Sequence, residues 1–241
     1  NNTEHDKVVY TTKDVGPKPR GVAVTEDGKK VYVVLHLAQL RPGKSPDDEA
    51  QDDAKEGRVT VISTKTNRVI DTVGLDPLTD VGFASNGSTL KQIAFNAADP
   101  TTVIPTTAYP NLLQGIALKG NRAYIPNTCQ SPDGPFKFNV NVQSCLSVFN
   151  LLNNQDSDQT INMNKGVNFE NIGQRLFNTN PIAIAFERNG NEGWVALAAT
   201  NRILRVQLAP DGAPTINAPT APLPPGALSN IVRVEVGKNP Q

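Results

Sequence analysis

Apolar and polar residues alternate with a period of two along most of this chain, in short runs bounded by Gly, Pro and Asn. Residues 21–25 and 30–35 alternate on either side of Asp27-Gly28, and Asp-Gly between such runs is a strong hairpin signal. Two further runs, at 58–64 and 68–75, flank a short polar turn. The pattern therefore predicts four antiparallel strands in up-and-down order over residues 21–75.

The same strand–turn–strand phrase returns at 79–93, 114–128 and 181–197. Four-stranded antiparallel units that recur along a chain are typical of a β-propeller, because one unit cannot bury both of its faces alone. A β-sandwich is the alternative, but it does not predict a recurring phrase. We therefore predict an all-β chain, a single propeller segment over 1–241, with four blade starts near residues 19, 78, 113 and 181.

Both ends of the chain carry the same part of the repeat. Val236–Gln241 aligns with Val15–Arg20, which leads directly into the first strand. Residues 6–16 also resemble 230–237, so we predict that 6–16 form the outer strand of another blade. We accordingly expect the chain to form an incomplete ring of about four blades. Insertions between strands, such as the acidic segment 41–57, are expected on the rim of the blades, where binding surfaces often lie.

The charge balance limits the partners that the chain can bind. Lys and Arg number 23, and so do Asp and Glu, which gives a formal net charge of zero. This balance argues against nucleic acid as a partner, because phosphate binding requires a basic excess. No apolar run reaches the length of a membrane span, so membrane insertion is not expected. The partners that remain are other proteins or further propeller blades.

The chain has two cysteines, Cys129 and Cys145, and both flanking segments have the pattern of strands in one hairpin. A disulfide between them would stabilise the fold by roughly 3 kcal/mol on the chain-entropy estimate. Two buried free thiols are the alternative. A disulfide predicts a location outside the cytoplasm, whether periplasmic, cell-surface or secreted.

One segment is densely acidic. Carboxylate oxygens are ligands that calcium prefers, but the spacing does not match an EF-hand loop. A solvated loop without a metal is the alternative interpretation. The candidate calcium ligands in this segment are Asp47, Asp48, Asp52 and Asp53.

Other single residues give packing predictions rather than sites. His36 follows a strand and is predicted to make a hydrogen bond at the strand end, and Met163 is predicted to pack in a core or loop. Trp194 stands at the repeat position of Tyr32 and is predicted to pack, as are Tyr10 and Tyr124. No nucleophile motif, zinc-protease motif or phosphate-binding loop occurs, so no catalytic residue is assigned.

The segments PRGVAV (19–24), VYVV (31–34) and GRVTVISTKTNRVIDTV (57–73) resemble the YVTN family of β-propeller repeats. The family is named for a strand motif, and VYVV occupies the position of that motif in this chain. The resemblance is closest over residues 15–75 and 179–241. The order of the degraded middle segments is also similar to that of bacterial exported propeller proteins, in which a C-terminal haem domain of the cytochrome c peroxidase type follows further blades.

This resemblance implies fold and compartment rather than catalysis. The chain has no Cys-x-x-Cys-His, so it cannot attach a c-type haem itself, and haem is expected only in a further C-terminal domain. The first hypothesis is a non-catalytic binding or scaffold segment of an exported bacterial protein. The second is the propeller part of a haem-containing peroxidase or electron-transfer protein, and the third is a hydrolase of the lactonase type. Apart from candidate calcium, no cofactor is expected in this chain.

Overall fold

A computed structural model describes residues 10–93 and 101–238. The predicted all-β fold is confirmed, because these residues form four antiparallel sheets, and the three larger ones follow one another as the blades of a propeller. Helical structure is limited to short turns, and none of the described helices has the length and apolar character to cross a membrane. The helical segments are one α-helix, α1 (Phe138–Asn141), and the 3-10 turns Pro46–Asp48, Val167–Phe169 and Ile172–Gln174.

Blade 1 is the four-stranded sheet that the pattern predicts for the first quarter of the chain. Asp27 stabilises the first turn, since its Oδ1 accepts hydrogen bonds from Thr25 Oγ1 at 2.7 Å and from the Lys29 amide at 3.1 Å. These bonds hold the pKa of Asp27 down at about 2, the hydroxyl of Thr25 contributing most. The strands pair in sequence order and are β1 (Pro19–Val24), β2 (Lys30–Leu40), β3 (Lys55–Ser63) and β4 (Arg68–Leu75).

The segment after the second predicted start, near residue 78, differs from the other three. It makes two isolated bridges, Leu78 with Ala108 and Phe83 with Thr89, and the two-stranded ladder of β5 (Lys91–Ile93) and β6 (Val103–Pro105). Within its described residues, 76–93 and 101–108, it forms no four-stranded sheet. When the four repeat phrases are aligned, Asp80 stands at the position that Gly21, Gly115 and Ala183 occupy in the other three. At Gly21 and Gly115 this position lies against the backbone of the next blade.

Blade 2 has a central hairpin whose inner and outer neighbours are each split into two short strands. The hairpin strands are paired over nine residues each. The blade consists of the inner β7 (Tyr109–Asn111) and β8 (Ala117–Lys119), the hairpin β9 (Arg122–Gln130) and β10 (Val142–Asn150), and the outer β11 (Gln155–Asp156) and β12 (Ile161–Asn162).

Blade 3 repeats the arrangement, with an outer strand that is also split. Its last strand lies within residues 230–237, the segment whose pattern resembles that of the outer-strand segment 6–16. The blade consists of β13 (Pro181–Phe186), β14 (Glu192–Leu197), β15 (Arg202–Leu208), β16 (Pro214–Thr215) and β17 (Arg233–Glu235).

Each blade is entered through a residue in the left-handed backbone region. Lys18, Leu112 and Asn180 have φ values of 51°, 49° and 51°, and each lies three residues before the small residue of the repeat phrase. A left-handed conformation costs roughly 1–2 kcal/mol for a residue with a side chain. Its recurrence at equivalent positions shows that the tertiary packing imposes this turn.

Two separate hydrophobic cores lie between the blades. The first contains Tyr32, Val59 and Val61 of blade 1 together with Ile125 and Phe149 of blade 2. The second, between blades 2 and 3, is built in the same way and includes Tyr124, Val148, Met163, Val195 and Leu204. The central strands of neighbouring blades therefore bury side chains against each other, as a stacked repeat requires.

The two chain ends are only partly described. Residues 10–16 lie against blade 1, where the Thr12 hydroxyl donates to the carbonyl oxygen of Asn67 at 3.1 Å and the Thr60 hydroxyl donates to that of Val15. Within the described part of the chain they belong to no sheet. Residues 6–9, Pro240 and Gln241 lie outside the described residues. The assignment of 6–16 to another blade and the incomplete ring therefore stay predictions.

Candidate functional site

All the long connections of this fold emerge on one face of the blades. Because the strands alternate in direction, turns after first and third strands lie at one end, and the other connections lie at the opposite end. The turns at the first end are short, such as 25–29 and 64–67. The opposite end, which we call the insertion face, carries segments 41–54, 76–108, 131–141 and 157–180. Segment 216–232 interrupts the outer strand of blade 3 and joins this face through Asn171, whose side chain donates to the carbonyl oxygens of Pro224 and Ala227. The rim position expected from the sequence for the acidic segment 41–57 stays a prediction.

Asp52 joins three of these segments. Its side chain is 4% exposed and accepts hydrogen bonds from Ser131 Oγ at 2.9 Å, the Asp133 amide at 2.9 Å and Gln92 Nε2 at 3.0 Å. Burial raises the pKa of Asp52, while these hydrogen bonds act in the opposite direction. Since a buried carboxylate is tolerated only when its oxygens are satisfied, Asp52 fixes the relative positions of all three segments.

A second set of contacts fixes segment 76–108 from its other side. Asn162 Nδ2 donates to the Val81 carbonyl oxygen at 3.0 Å, and Lys165 Nζ makes an ion pair with Asp80 at 2.8 Å. The Asn139 side chain donates to the carbonyl of Phe83. The segment is therefore held by the insertions of blade 2 on both sides.

A buried ion pair joins segment 157–180 to the outer strand of blade 3. The Arg233 guanidinium meets both carboxylate oxygens of Glu170, at 2.9 and 3.2 Å, and its Nε donates to Asn178 Oδ1 at 3.2 Å. The Glu170 side chain is 0% exposed and that of Arg233 is 7% exposed. Bidentate pairing of this kind restricts geometry strongly, so these segments form one rigid layer with blade 3.

The predicted disulfide is confirmed and lies beneath this layer. Cys129 and Cys145, on neighbouring strands of the blade 2 hairpin, are bonded with a Cα–Cα distance of 5.8 Å. Both are fully buried, and they pack against Val81 and Ala108 of segment 76–108. The disulfide therefore fixes the base of the hairpin that carries insertion 131–141.

Two insertions of this face and the strand end beside them carry exposed apolar side chains. Phe136 is 99% exposed, Phe138 63%, Val142 50% and Leu176 38%. The rings of Phe138 and Phe177 lie nearly perpendicular with centroids 5.3 Å apart, which joins insertions 131–141 and 157–180. Phe177 itself is half-buried and packs against the core between blades 2 and 3. We call these five residues the apolar patch. Grouped apolar side chains on a rigid surface are typical of a binding surface.

The sequence prediction missed the apolar patch. The available signal was Phe136 and Phe138 on either side of Lys137 in a loop that follows Gly134-Pro135, where two large aromatic residues have no strand to pack in. The Glu170–Arg233 pair gave no sequence signal, because the two residues are joined only by the fold.

The four candidate calcium ligands do not converge. Asp48 accepts hydrogen bonds from the Ser45 amide and hydroxyl, Asp53 pairs with Lys44 at 2.9 Å, and Asp52 points into the insertion face. Asp47 is exposed. Between residues 10 and 93 and between 101 and 238, no three His, Cys, Asp or Glu side chains are grouped to hold a metal ion.

The remaining single residues have structural positions. His36 lies inside β2, where its Nδ1 is 3.2 Å from the Leu113 carbonyl oxygen, and Met163 is fully buried between blades 2 and 3. Tyr32 and Tyr124 are fully buried, whereas Trp194, at the equivalent position, is half-buried. Tyr10 is 51% exposed, which differs from the packing expected for it.

No model of a known protein family matches the chain, and no curated protein sequence matches it either. Among solved structures, the chain is similar to a periplasmic gluconolactonase of Pseudomonas aeruginosa, with 12% identity and a TM-score of 0.33 over 88% of this chain and 59% of that protein. A proposed 6-phosphogluconolactonase of Bacteroides fragilis gives 10% identity and a TM-score of 0.31 over 90% and 56%.

A protein from Lactobacillus plantarum gives 14% identity and a TM-score of 0.25 over 87% of this chain and 57% of that protein. The chain thus spans less than two thirds of the length of each of these structures. Similarity at this level carries no information about substrate or mechanism.

Proposed function

We propose that this chain is a non-catalytic propeller segment that binds a partner protein on its insertion face. The observation that supports this proposal is the apolar patch, which is exposed on a layer held rigid from beneath. Phe136 and Phe138 remain in solvent although the same loop is anchored through Ser131 and Asp133 to buried Asp52. A preorganised surface loses little conformational entropy on binding, which favours association.

The chemistry of the patch favours a protein partner. Its exposed atoms are those of phenylalanine, valine and leucine, which are suited to apolar side chains of another protein. The formal net charge of the chain is zero, so it provides no electrostatic attraction for nucleic acid. The partner that fits is a protein surface or domain with its own apolar contact residues.

We also propose that the parent protein is exported, and that its blades are repeats of the YVTN type. The buried Cys129–Cys145 disulfide supports an oxidising compartment. The recurring left-handed entry at Lys18, Leu112 and Asn180 supports a common repeat unit. A C-terminal haem domain in the parent protein remains a proposal that rests on the resemblance of the sequence.

Site-specific photo-crosslinking tests the binding function. A photoreactive phenylalanine at Phe138 is compared with one at Asn121, which is exposed on the opposite face. In extracytoplasmic fractions of the source organism, we expect one discrete adduct from position 138, none from position 121, and loss of the adduct in a Phe136→Ser, Leu176→Ser background. Equal adducts from both faces would contradict the proposal, as would turnover of a gluconolactone by the purified chain.

A further inference from the structure

The two contacts between blades follow one rule at the inner strands. A Cβ atom added to Gly21 of blade 1 would lie 2.7 Å from the carbonyl oxygen of Gln114, and one added to Gly115 of blade 2 would lie 2.9 Å from that of Ile182. In both cases a small residue allows the backbone of the next blade to approach closely. These residues occupy the same position of the repeat phrase.

A second rule concerns the buried aromatic residue of the second strand. The Tyr32 hydroxyl donates to Asn154 Oδ1 at 2.9 Å, and the Tyr124 hydroxyl donates to the carbonyl oxygen of Gly212 at 2.7 Å. Asn154 and Gly212 both lie in the turn before the outer strand of the next blade, with φ values of 55° and 87°. The aromatic residues of blades 1 and 2 therefore each donate a hydrogen bond to a left-handed turn before the outer strand of the next blade.

Blade 3 carries the same recognition set on its open side. Ala183 takes the small position, and Trp194 pairs with Ala185 as Tyr32 pairs with Ala23 and Tyr124 with Ala117. The indole N–H is a donor, like the tyrosine hydroxyls. The backbone of Trp194 belongs to the sheet, but its indole N–H donates to no atom of residues 10–93 and 101–238. It is half-buried, as is Ile203 of the neighbouring strand.

Blade 1 shows what the complementary face looks like. Val22, Val24 and Ile70 on its opposite side are 62%, 55% and 52% exposed. In blade 2 the residues equivalent to Val22 and Val24, Ile116 and Leu118, pack against the core with blade 1. The outer turn of blade 1 contains Asn67 with φ 54°, at the position equivalent to that of Asn154 and Gly212.

We propose that the open face of blade 3 docks one further four-stranded blade of this same repeat type, and that the outer turn of that blade accepts a hydrogen bond from Trp194 Nε1. The argument is continuity, because both existing contacts use the small residue, the aromatic donor and the left-handed turn. Arg205 and Glu192 both lie on this face, and the guanidinium of Arg205 is 3.5 Å from the carboxylate of Glu192, so their charges compensate each other. The face is distinct from the insertion face and its apolar patch.

The test appends a further blade to the chain and measures the solvent accessibility of Trp194, the only tryptophan of the sequence. Because Gln241 aligns with Arg20, a second copy of residues 21–75 is appended directly after Gln241, in phase with the repeat. The appended segment contains no tryptophan. We expect its strands to be protected from hydrogen exchange, and acrylamide quenching of Trp194 to fall roughly threefold as the indole becomes buried.

The matched control carries Val22→Asp and Val24→Asp in the appended copy alone. Aspartate on the docking face cannot be buried without a partner, so the control is expected to leave Trp194 as accessible as in the unextended chain. Unchanged quenching with the unmodified copy overturns the proposal, whether the appended strands are protected or not. Equal protection of Trp194 in the control also overturns it, since the contact would then not depend on the blade face.

Discussion

The hydroxyl of Tyr124 in blade 2 donates a hydrogen bond to the carbonyl oxygen of Gly212 in blade 3, at 2.7 Å. Burial raises the pKa of Tyr124 to about 12, so the hydroxyl keeps its proton at all ordinary pH values. The Tyr124 ring also packs on Phe186, with centroids 4.8 Å apart. This one side chain therefore contributes both apolar contact and a specific hydrogen bond to the interface between the two blades.

Replacing Tyr124 with phenylalanine should remove the hydrogen bond and keep the ring. The carbonyl oxygen of Gly212 then lacks its partner, and we expect the free energy of unfolding to fall by about 1 kcal/mol. Urea denaturation measures the change. Tyr10→Phe, at an exposed position, is the matched control and should leave the midpoint unchanged. An equal effect of both variants would show that the interface bond has no net value.

Gly115→Ala should destabilise the contact between blades 2 and 3. The new methyl group would lie 2.9 Å from the Ile182 carbonyl oxygen and 3.3 Å from Ala183 Cα, and both are backbone atoms that cannot move alone. Overpacking of this kind costs about 1–3 kcal/mol. Thermal unfolding measures it, with Gly173→Ala as control because nothing lies within 4 Å of that position. A tolerated Gly115→Ala would contradict the close approach of the inner strands.

Removal of the disulfide by Cys129→Ala, Cys145→Ala should lower stability by roughly 3 kcal/mol. Both sulfur atoms are fully buried, so reducing agent should act slowly on the folded chain and quickly once the chain is unfolded. Mass spectrometry after alkylation, with and without denaturant, follows the thiols. Rapid labelling of the native chain would show that the bond is exposed or absent in solution.

Asp52→Asn should loosen the insertion face without unfolding the blades. Ser131, Asp133 and Gln92 donate to both carboxylate oxygens of Asp52, and asparagine replaces one of these oxygens with a nitrogen that cannot accept. We therefore expect the free energy of unfolding to fall by about 2 kcal/mol. Hydrogen exchange should accelerate at the Asp133 amide and stay unchanged in blade 3. Asp53→Asn removes only an exposed ion pair with Lys44 and should cost less than about 0.5 kcal/mol.

Asp156 should make stability depend on pH in mildly acidic solution. It lies where the outer strands of blades 1 and 2 meet. Burial, together with the nearby carboxylates of Asp76 and Asp158, raises its pKa to about 6, although hydrogen bonds from the backbone amides of Asp158 and Asp76 act in the opposite direction. The folded state therefore holds a proton that the unfolded chain releases near pH 4, so stability should decrease as pH rises from about 4 to 6. After solvent screening we expect a change of about 1–2 kcal/mol.

Asp156→Asn provides the control for this pH dependence. The amide keeps an oxygen for the Asp158 N–H, which Asp156 Oδ1 accepts at 2.9 Å, but it does not titrate. Chemical denaturation at a series of pH values should show a flatter profile for the variant between pH 4 and 6. Identical profiles for the two proteins would place the titration elsewhere.

The blades could be predicted from the sequence because their signals are local. Asp27-Gly28 between alternating apolar runs determines its hairpin, and the Cys129–Cys145 bond follows from strands that are neighbours in the chain. The segment after the blade start predicted near residue 78 differs from the other copies, since its described residues pair only in two isolated bridges and the β5–β6 ladder. Its alternation resembles the other copies, yet a blade also needs a small residue that lets the next blade approach, and Asp80 occupies that position.

The sequence by itself determined the strand phase, the turn positions and the recurrence of the phrase, since these depend on residues close together along the chain. Only the tertiary structure decided that five insertions share one face and that Asp52 joins three of them. It also decided that Phe138 meets Phe177 in an exposed patch. The physical reason is that strand direction and blade stacking bring these residues together, and neither leaves a periodic mark in the intervening sequence.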